Sequence, residues 1–204
     1  MATLDTVELQ DLSRDPHAQF DSWFAEAIAA GVSDPEQMAL ATATLDAMPS
    51  VRMVLLKGHD ARGFVFYTNR TSRKGIDLRD NARAAGVLHW KPLERQVRLE
   101  GPVVQLTDDE SAAYFGTRAR ESQIGAWASP QSQAIADHGE LDRRVTELEQ
   151  RFSPGSEVPL PPFWGGYRIV ATTIEFWQGR PGRLHDRIRY DLASDGWKLQ
   201  RLAP

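Results

Sequence analysis

The sequence contains no cysteine, and this absence excludes several kinds of chemistry. It removes disulfides, thiolate nucleophiles, iron–sulfur clusters and cysteine-ligated zinc, and it leaves no cysteinyl tether for a cofactor. The five histidines show no metal-binding spacing such as HExxH or HxH, so no metal site is expected. The motifs GxGxxG, GxxxxGK[ST] and GxSxG are also absent from the positions that Rossmann, P-loop and α/β-hydrolase proteins require.

The chain also lacks a basic charge excess and long apolar runs. Its 24 lysines and arginines stand against 28 acidic residues, which gives a formal net charge of −4. Broad binding to nucleic acid needs a strongly basic surface, so it is not expected. No apolar run approaches the ~18 residues that span a bilayer, and the acidic N-terminus lacks a signal-peptide core. A cytoplasmic protein that contacts neither nucleic acid nor membrane is predicted.

Lysine is scarce, with 4 residues against 20 arginines. The planar guanidinium can hold a phosphate or a carboxylate through two parallel hydrogen bonds. The codon usage of a GC-rich genome produces the same bias. Only the positions of the arginines can therefore indicate a function.

The hydrophobic pattern predicts a flexible arm over residues 1–14 and one domain over 15–204. Helices are predicted from Asp15-Pro16 to Gly31, from Ser72 to Asn81, over 111–117 and over 140–152. Strands are predicted between them and after them, including a single strand over 166–177. A proline-rich connector precedes the last ~35 residues, which are too few for a core of their own and should pair with the earlier sheet. The expected fold is α+β, an antiparallel barrel of six or more strands with surrounding helices.

Two segments early in the chain combine cations with hydrogen-bonding side chains. The strand RMVLLK carries a cation at each end, Arg52 and Lys57, which are five residues apart. A regular strand would point them to opposite faces, unless a bulge intervenes or the two serve different ligands. In the second segment, Arg73 and Lys74 follow two hydroxyls at the start of a helix. Cations there oppose the helix dipole, so an anionic ligand would explain them.

Two later segments show the same combination. Tyr114, Arg118 and Ser122 are spaced at i, i+4 and i+8, so one continuous helix would place them on one face around a single phosphate. An amide- and hydroxyl-bearing loop, SPQSQ, follows them. An ordinary polar helix surface is the alternative interpretation.

In the fourth segment, Arg183, His185 and Arg187 alternate along a predicted strand and would share one face, with Leu184 turned inward. Two guanidiniums beside an imidazole are unfavourable unless an anionic or electron-rich group lies there. The alternative is a pair of rim residues, Arg183 and His185, held by salt bridges to acids such as Glu175.

Together these segments resemble the pyridoxamine (pyridoxine) 5′-phosphate oxidase family over about residues 15–204. The resemblance implies an FMN-binding split barrel, noncovalent FMN, and a homodimer with FMN at the subunit interface, so that each site uses residues of both chains. The motifs that carry it are RMVLLK (52–57), FYTNRTSRK (66–74), ERQVRLEG (94–101), YFGTRARESQIGAW (114–127), SPQSQ (129–133), PPFWGGYRI (161–169), IEFWQG (174–179), RLHDRIRY and WKLQRLAP.

By position, the resemblance also implies roles for individual residues. The FMN contacts would be Arg52, Met53, Val54, Leu55, Lys57, Tyr67, Thr68, Arg73, Lys74, Gln96, Gln131, Ser132, Trp177 and Arg187. The substrate phosphate would be bound by Lys57, Tyr114, Arg118 and Ser122. Arg183 and His185 would be the catalytic residues, binding the pyridine ring of the substrate over the flavin.

The sequence departs from the family pattern in two places. Family members often carry a longer N-terminal arm that can close over the site, and Ala119 stands where a proline is expected between two arginines.

The resemblance implies oxidation of pyridoxamine 5′-phosphate, pyridoxine 5′-phosphate or both to pyridoxal 5′-phosphate. A hydride would pass from substrate C4′ to flavin N5, and O2 would reoxidise the flavin and give hydrogen peroxide. Two alternatives stay open: a related FMN oxidase of phenazine biosynthesis, and a non-catalytic protein that binds flavin or pyridoxal phosphate. The phosphate-binding set around Arg118 favours the phosphorylated vitamin over the first, and the intact Arg183-Leu184-His185 argues against the second.

Overall fold

Ten antiparallel strands form one sheet in the computed structural model, which describes residues 12–204. The sheet curls into a split barrel, as the sequence predicted. Its strands are β1 (Gln37–Ala43), β2 (Pro49–Leu55), β3 (Gly58–Asp60), β4 (Gly63–Asn69), β5 (Arg83–Trp90), β6 (Arg95–Gln105), β7 (Trp164–Ile169), β8 (Thr173–Gln178), β9 (Asp186–Ala193) and β10 (Gly196–Arg201).

The long strand β6 joins the two halves of the barrel. Along 95–100 it pairs with β8, and along 103–105 it pairs with β7, which continues the sheet to β4 and β3. Gly101 lies where the partner changes, and a Cβ there would stand 2.2 Å from the carbonyl oxygen of Val170. The sequence predicted a single strand over 166–177, which is wrong. Residues 170–172 separate β7 from β8, because the two strands pair with different parts of β6.

Five helices in the described residues surround the sheet: α1 (Pro16–Ala29), α2 (Arg73–Asp80), α3 (Asp108–Thr117), α4 (Arg120–Ala128) and α5 (His138–Arg151). Their starts follow from local chemistry. Side chains of Asp15, Ser72 and Thr107 accept hydrogen bonds from the first-turn N–H groups of α1, α2 and α3. The predicted helices of the same regions are confirmed to within three residues at each end.

The core has two parts. The larger part fills the barrel and includes Phe20 and Trp23 of α1 packed against sheet residues such as Phe64. The smaller part lies under α3, α4 and α5 and consists of Phe115, Ile124, Phe152, Val158 and Trp164. The predicted pairing of the C-terminal strands with the earlier sheet is confirmed by β7 and β8.

Most of the predicted arm lies outside the described residues. At its end, the backbone carbonyl of Ser13 accepts a hydrogen bond from the Tyr190 hydroxyl at 2.8 Å. Among residues 12–204, no helix is long and apolar enough to cross a membrane.

Candidate active site

A cleft of about 600 Å³ opens between β2, β4 and the start of α2 on one side and the α3–α4 helices on the other. The smaller core forms part of its floor through Trp164. The cleft is lined by Met53, Val54, Leu55, Lys57, Tyr67, Thr68, Asn69, Lys74, Tyr114, Arg118, Ala119, Ser122, Gly125, Ala126, Ser129, Gln131 and Trp164.

Lys74 marks one end of the cleft. Its ammonium group is buried and donates to the Oε1 atom of Gln131 at 2.9 Å and to the Oγ atoms of Thr68 at 3.1 Å and Ser72 at 3.4 Å. Burial, helped by the nearby charge of Arg52, lowers the pKa of Lys74 to about 8. All these partners are neutral, so the amine is a buried cation that no carboxylate neutralises in the described chain. An anion would fit beside it.

Arg52 lies beneath this end and does not line the cleft. Its guanidinium donates to Thr42 Oγ1 and Ser50 Oγ, each at 2.8 Å, and stands 3.8 Å from the buried carboxylate of Asp77. Burial lowers its pKa, whereas Asp77 opposes that shift. Lys57 lies beyond the end of β2, where its backbone N–H bonds to β4, and its amine is 3.5 Å from Glu36. The strand therefore contains no bulge that would align Arg52 with Lys57, and the two occupy separate segments.

An aromatic group crosses the middle of the cleft. The Tyr67 ring is stacked on Tyr114 at 3.9 Å between centroids, and it lies nearly parallel to Trp164 at 5.3 Å. Gly166 faces Tyr67 across the β4–β7 pair, and a Cβ on it would stand 2.8 Å from the Tyr67 ring. The glycine thus allows the ring to lie against β7. Burial raises the pKa values of both Tyr67 and Tyr114, so their hydroxyls stay protonated.

Arg118 marks the second end. Its Cζ lies 4.9 Å from the Trp164 ring centroid and 5.5 Å from that of Phe115. The Nη1 atom is buried and has no hydrogen-bond partner. In the described residues Arg118 also makes no ion pair, and burial lowers its pKa. A buried N–H donor on an unpaired guanidinium is costly unless a ligand accepts from it.

The expectation of one continuous helix through Tyr114, Arg118 and Ser122 is wrong. α3 ends at Thr117, Arg118 and Ala119 have extended backbone, and α4 begins at Arg120. The three side chains nevertheless line the same cleft, because the break turns α4 toward it.

A second group of predicted site residues lies elsewhere on the sheet. Gln96 of β6 faces Trp177 of β8, which faces Arg187 of β9. Strands β5 and β1 separate β6 from β2 and its cleft residues. Arg187 is held by Glu175 through two hydrogen bonds of 2.8 and 3.1 Å, which raise its pKa.

Arg183 and His185 do not share a strand face, which corrects the prediction. β9 begins at Asp186, and Pro181–Arg183 form a 3-10 turn in which Arg183 has φ +62°. Leu184 is not turned inward but is 73% exposed. The His185 ring packs on Trp177 at 4.5 Å, and its Nδ1 accepts from the backbone N–H of Arg180 at 3.1 Å. The predicted alternative of salt bridges to Glu175 is not seen for either residue in the described chain.

The remaining predicted positions are near the cleft or on its rim. Gln131 lines it, Ser132 follows with φ +69°, and Arg73 is exposed in the first turn of α2. Asn69 and Trp164 were missed as individual site residues. Both lie inside motifs that carried the resemblance, and they face each other across β4 and β7. That register is a long-range pairing that no local pattern indicates.

The fold is a split barrel, and its cleft holds two cations, Lys74 and Arg118, without carboxylate partners in the described residues. Residues 24–152 match the family model described as pyridoxamine 5′-phosphate oxidase, and residues 164–204 match one described as the pyridoxine 5′-phosphate oxidase C-terminal dimerisation region. The chain belongs to the pyridoxamine 5′-phosphate oxidase family.

Relatives over nearly the whole chain bear the same description. Pyridoxine/pyridoxamine 5′-phosphate oxidases are 52% identical in Cupriavidus taiwanensis, covering 98% of this chain and 94% of the relative, and 55% identical in Rubrobacter xylanophilus, covering 93% and 87%. PhzG from Burkholderia lata 383, solved with tetrahydrophenazine-1-carboxylic acid, superposes with a TM-score of 0.92 at 33% identity over 100% of both chains. An FMN-binding protein of Nostoc punctiforme shares the fold, with a TM-score of 0.73 at 15% identity over 91% of this chain and 97% of that one.

Proposed function

We propose that this protein oxidises pyridoxamine 5′-phosphate, pyridoxine 5′-phosphate or both to pyridoxal 5′-phosphate with noncovalently bound FMN. The proposal rests mainly on one observation: the buried amine of Lys74 and the half-buried guanidinium of Arg118 lie at separate ends of one cleft, and neither has a carboxylate partner among the described residues. Both the cofactor and the substrate of this reaction carry a phosphate. Two phosphates would supply the two missing anions.

The Lys74 end suits the phosphate of FMN. Lys74, Thr68 and Gln131 already form a polar cluster there, and the exposed Arg73 adds a second cation at the start of α2. The apolar side chains of Met53, Val54 and Leu55 would lie along the flavin ring, as the resemblance implies. The absence of cysteine is consistent with noncovalent binding.

The Arg118 end suits the substrate phosphate. The buried Nη1 atom is available as a donor, and Tyr114, Ser122 and Lys57 supply further hydrogen-bonding groups to the same cleft. Bound FMN would supply a hydride acceptor and a route for the electrons to O2, giving hydrogen peroxide. The residues of the chain would then need only to orient C4′ of the substrate over the ring.

Arg183 and His185 are proposed to perform that orientation from a second copy of the chain. His185 packs on Trp177, and the turn that carries Arg183 leads into β9, so both lie beside the part of the sheet that carries Gln96, Trp177 and Arg187 and that β1 and β5 separate from β2. A homodimer with the cofactor between its subunits would bring the two groups together, and the match of residues 164–204 to a dimerisation region supports it. The hydrogen bond to His185 Nδ1 leaves Nε2 as the protonated nitrogen of the neutral ring, available as a donor.

A phenazine-pathway activity is the second candidate, because PhzG has almost the same backbone. The identity of 33% to PhzG, against 50–55% to the curated oxidases, favours the vitamin substrate. So does the unpaired Arg118, since a phosphate dianion supplies more acceptor oxygens and charge than a carboxylate.

The decisive experiment is an aerobic assay of the FMN-loaded protein with pyridoxamine 5′-phosphate, in which aldehyde and peroxide are both measured. Equal amounts of the two products are expected. Tight FMN binding without turnover would indicate the non-catalytic alternative. Oxidation of a reduced phenazine carboxylic acid alone would indicate the second candidate.

A further inference from the structure

Trp164 occupies an unusual position for a core residue. Its side chain is only 6% exposed and packs with Phe115 and Ile124, yet it also lines the cleft. Above its ring lies the guanidinium of Arg118, with the Nη1 atom buried and without an acceptor.

The way in which Arg118 is held has a chemical consequence. A carboxylate partner would fix the guanidinium strongly, but it would occupy the N–H groups and cancel the charge. The face of an indole attracts the cation through its quadrupole and accepts no in-plane N–H. Trp164 can therefore hold the guanidinium in place while its donors and its full charge stay available to a ligand.

We propose that Trp164 is a positioning residue that acts through Arg118 and sets the preference of this cleft for a phosphorylated over an unphosphorylated substrate. The inference rests on the proposed function and extends it to a residue that would not itself touch the phosphate. A role of Trp164 in recognition would depend on the charge of the ligand, whereas a role in core packing would not.

The test compares Trp164→Phe and Trp164→Leu with the wild type, using pyridoxamine 5′-phosphate and pyridoxamine. Phenylalanine keeps an aromatic face with a weaker quadrupole, and leucine removes it. The KM for the phosphorylated substrate should rise about 3- to 30-fold with leucine and less with phenylalanine, as expected for a desolvated cation–π contact. The KM for pyridoxamine should rise by a smaller factor than the KM for the phosphorylated substrate, so the preference between the two substrates should fall, most with leucine.

Trp127→Leu is a matched control. Trp127 also packs beneath an arginine, with Arg151 Cζ 5.5 Å from its ring, but it does not line the cleft. It should leave the ratio of the two KM values unchanged.

A double-mutant cycle with Arg118→Leu tests whether Trp164 acts through the guanidinium. In the Arg118→Leu background, Trp164→Phe should cause no further rise in the KM for the phosphorylated substrate. Additive effects would overturn the inference, and so would an equal loss for both substrates or a loss of FMN, since those results indicate packing alone.

Failure of the proposed function has a different signature, because the wild type would then oxidise neither substrate. Calorimetric titration of the FMN-loaded variants with pyridoxal 5′-phosphate and with pyridoxal would still test Trp164. A preference for the phosphorylated ligand that Trp164→Leu leaves intact would overturn the inference.

Discussion

At the scale of single residues, the cleft is notable for charges that the protein itself leaves unpaired. Arginines elsewhere in the described chain are commonly matched to acids, as Arg187 is by Glu175 and Arg168 by Asp60. Lys74 and Arg118 instead have neutral or aromatic neighbours. Leaving a buried cation unpaired lowers stability, and the arrangement is understandable if binding of an anion offsets that cost.

The lowered pKa of Lys74 predicts how cofactor affinity depends on pH. Below pH about 8 the Lys74 amine of the free protein is charged and can bind a phosphate dianion. Above that pH the amine must be protonated on binding, and this lowers the net binding free energy. FMN affinity should thus be greatest near pH 7 and fall as the pH rises through 8, measured by quenching of flavin fluorescence.

Lys74→Met should weaken FMN binding by about 10- to 100-fold and flatten this pH dependence. The exposed Lys91 is a suitable control, and Lys91→Met should change neither. An unchanged pH profile in Lys74→Met would show that another group titrates.

Arg118→Ala should act on the substrate and not on the cofactor. Loss of a charged hydrogen bond to phosphate, about 1.5–3 kcal/mol, predicts a 10- to 100-fold rise in KM for pyridoxamine 5′-phosphate. Steady-state kinetics and FMN titration of the same preparation measure both quantities. If the variant loses FMN and binds substrate normally, the two phosphate sites have been assigned in the wrong order.

At the scale of elements, sequence patterns predicted what local chemistry determines. The start of α2 at Ser72 and of α1 at Asp15-Pro16 follow from capping side chains and a proline, and alternation of apolar residues located most strands. The break between α3 and α4 was not predictable in this way. Neither Arg118 nor Ala119 is a helix breaker, and the two helices that flank the break both pack over the smaller core, through Phe115 and Ile124.

The turn before β9 carries two local signals that conflict. Pro181-Gly182 is typical of a turn, whereas the alternation of Arg183, His185 and Arg187 favours a strand, and the structure forms the turn. The convergence of Lys74, Tyr114 and Arg118 on one cleft could be anticipated only through the family resemblance. It depends on long-range pairings such as β4 with β7.

Variants of Arg183 and His185, which precede β9, are expected to behave differently from a variant of Arg187 within β9. Arg183→Ala and His185→Ala should leave FMN content and folding nearly intact and lower kcat/KM for flavin reduction, on the order of 100-fold if the substrate is misplaced by about 1 Å. Arg187→Ala should instead reduce FMN affinity, since the resemblance assigns Arg187 to the flavin. It should also lower stability, because the buried carboxylate of Glu175 would keep only Arg98 as a partner. Anaerobic stopped-flow reduction distinguishes them. Wild-type reduction rates at low substrate in the first two variants would make those residues structural.

At the scale of the whole molecule, the predicted site residues form two groups: those that line the cleft, and those around Gln96, Trp177 and Arg187 that do not. The sheet order places β1 and β5 between the strand that carries Met53 and the strand that carries Gln96. β2 is an edge strand, and Val51 and Met53 on it are 68% and 59% exposed. Exposed apolar residues on an edge strand are typical of a surface that another chain covers.

A dimer with shared sites predicts complementation between two defective chains. In a heterodimer of Arg118→Ala and His185→Ala subunits, one site would combine both defects, and the other would combine the intact cleft of one chain with the intact turn of its partner. Such heterodimers, co-expressed with two affinity tags and purified on both, should recover about half of the wild-type turnover per FMN at low substrate. Each homodimeric variant, purified alike, provides the baseline. If both groups instead served a site within one chain, every site of the heterodimer would keep one defect and its turnover would stay between those two baselines.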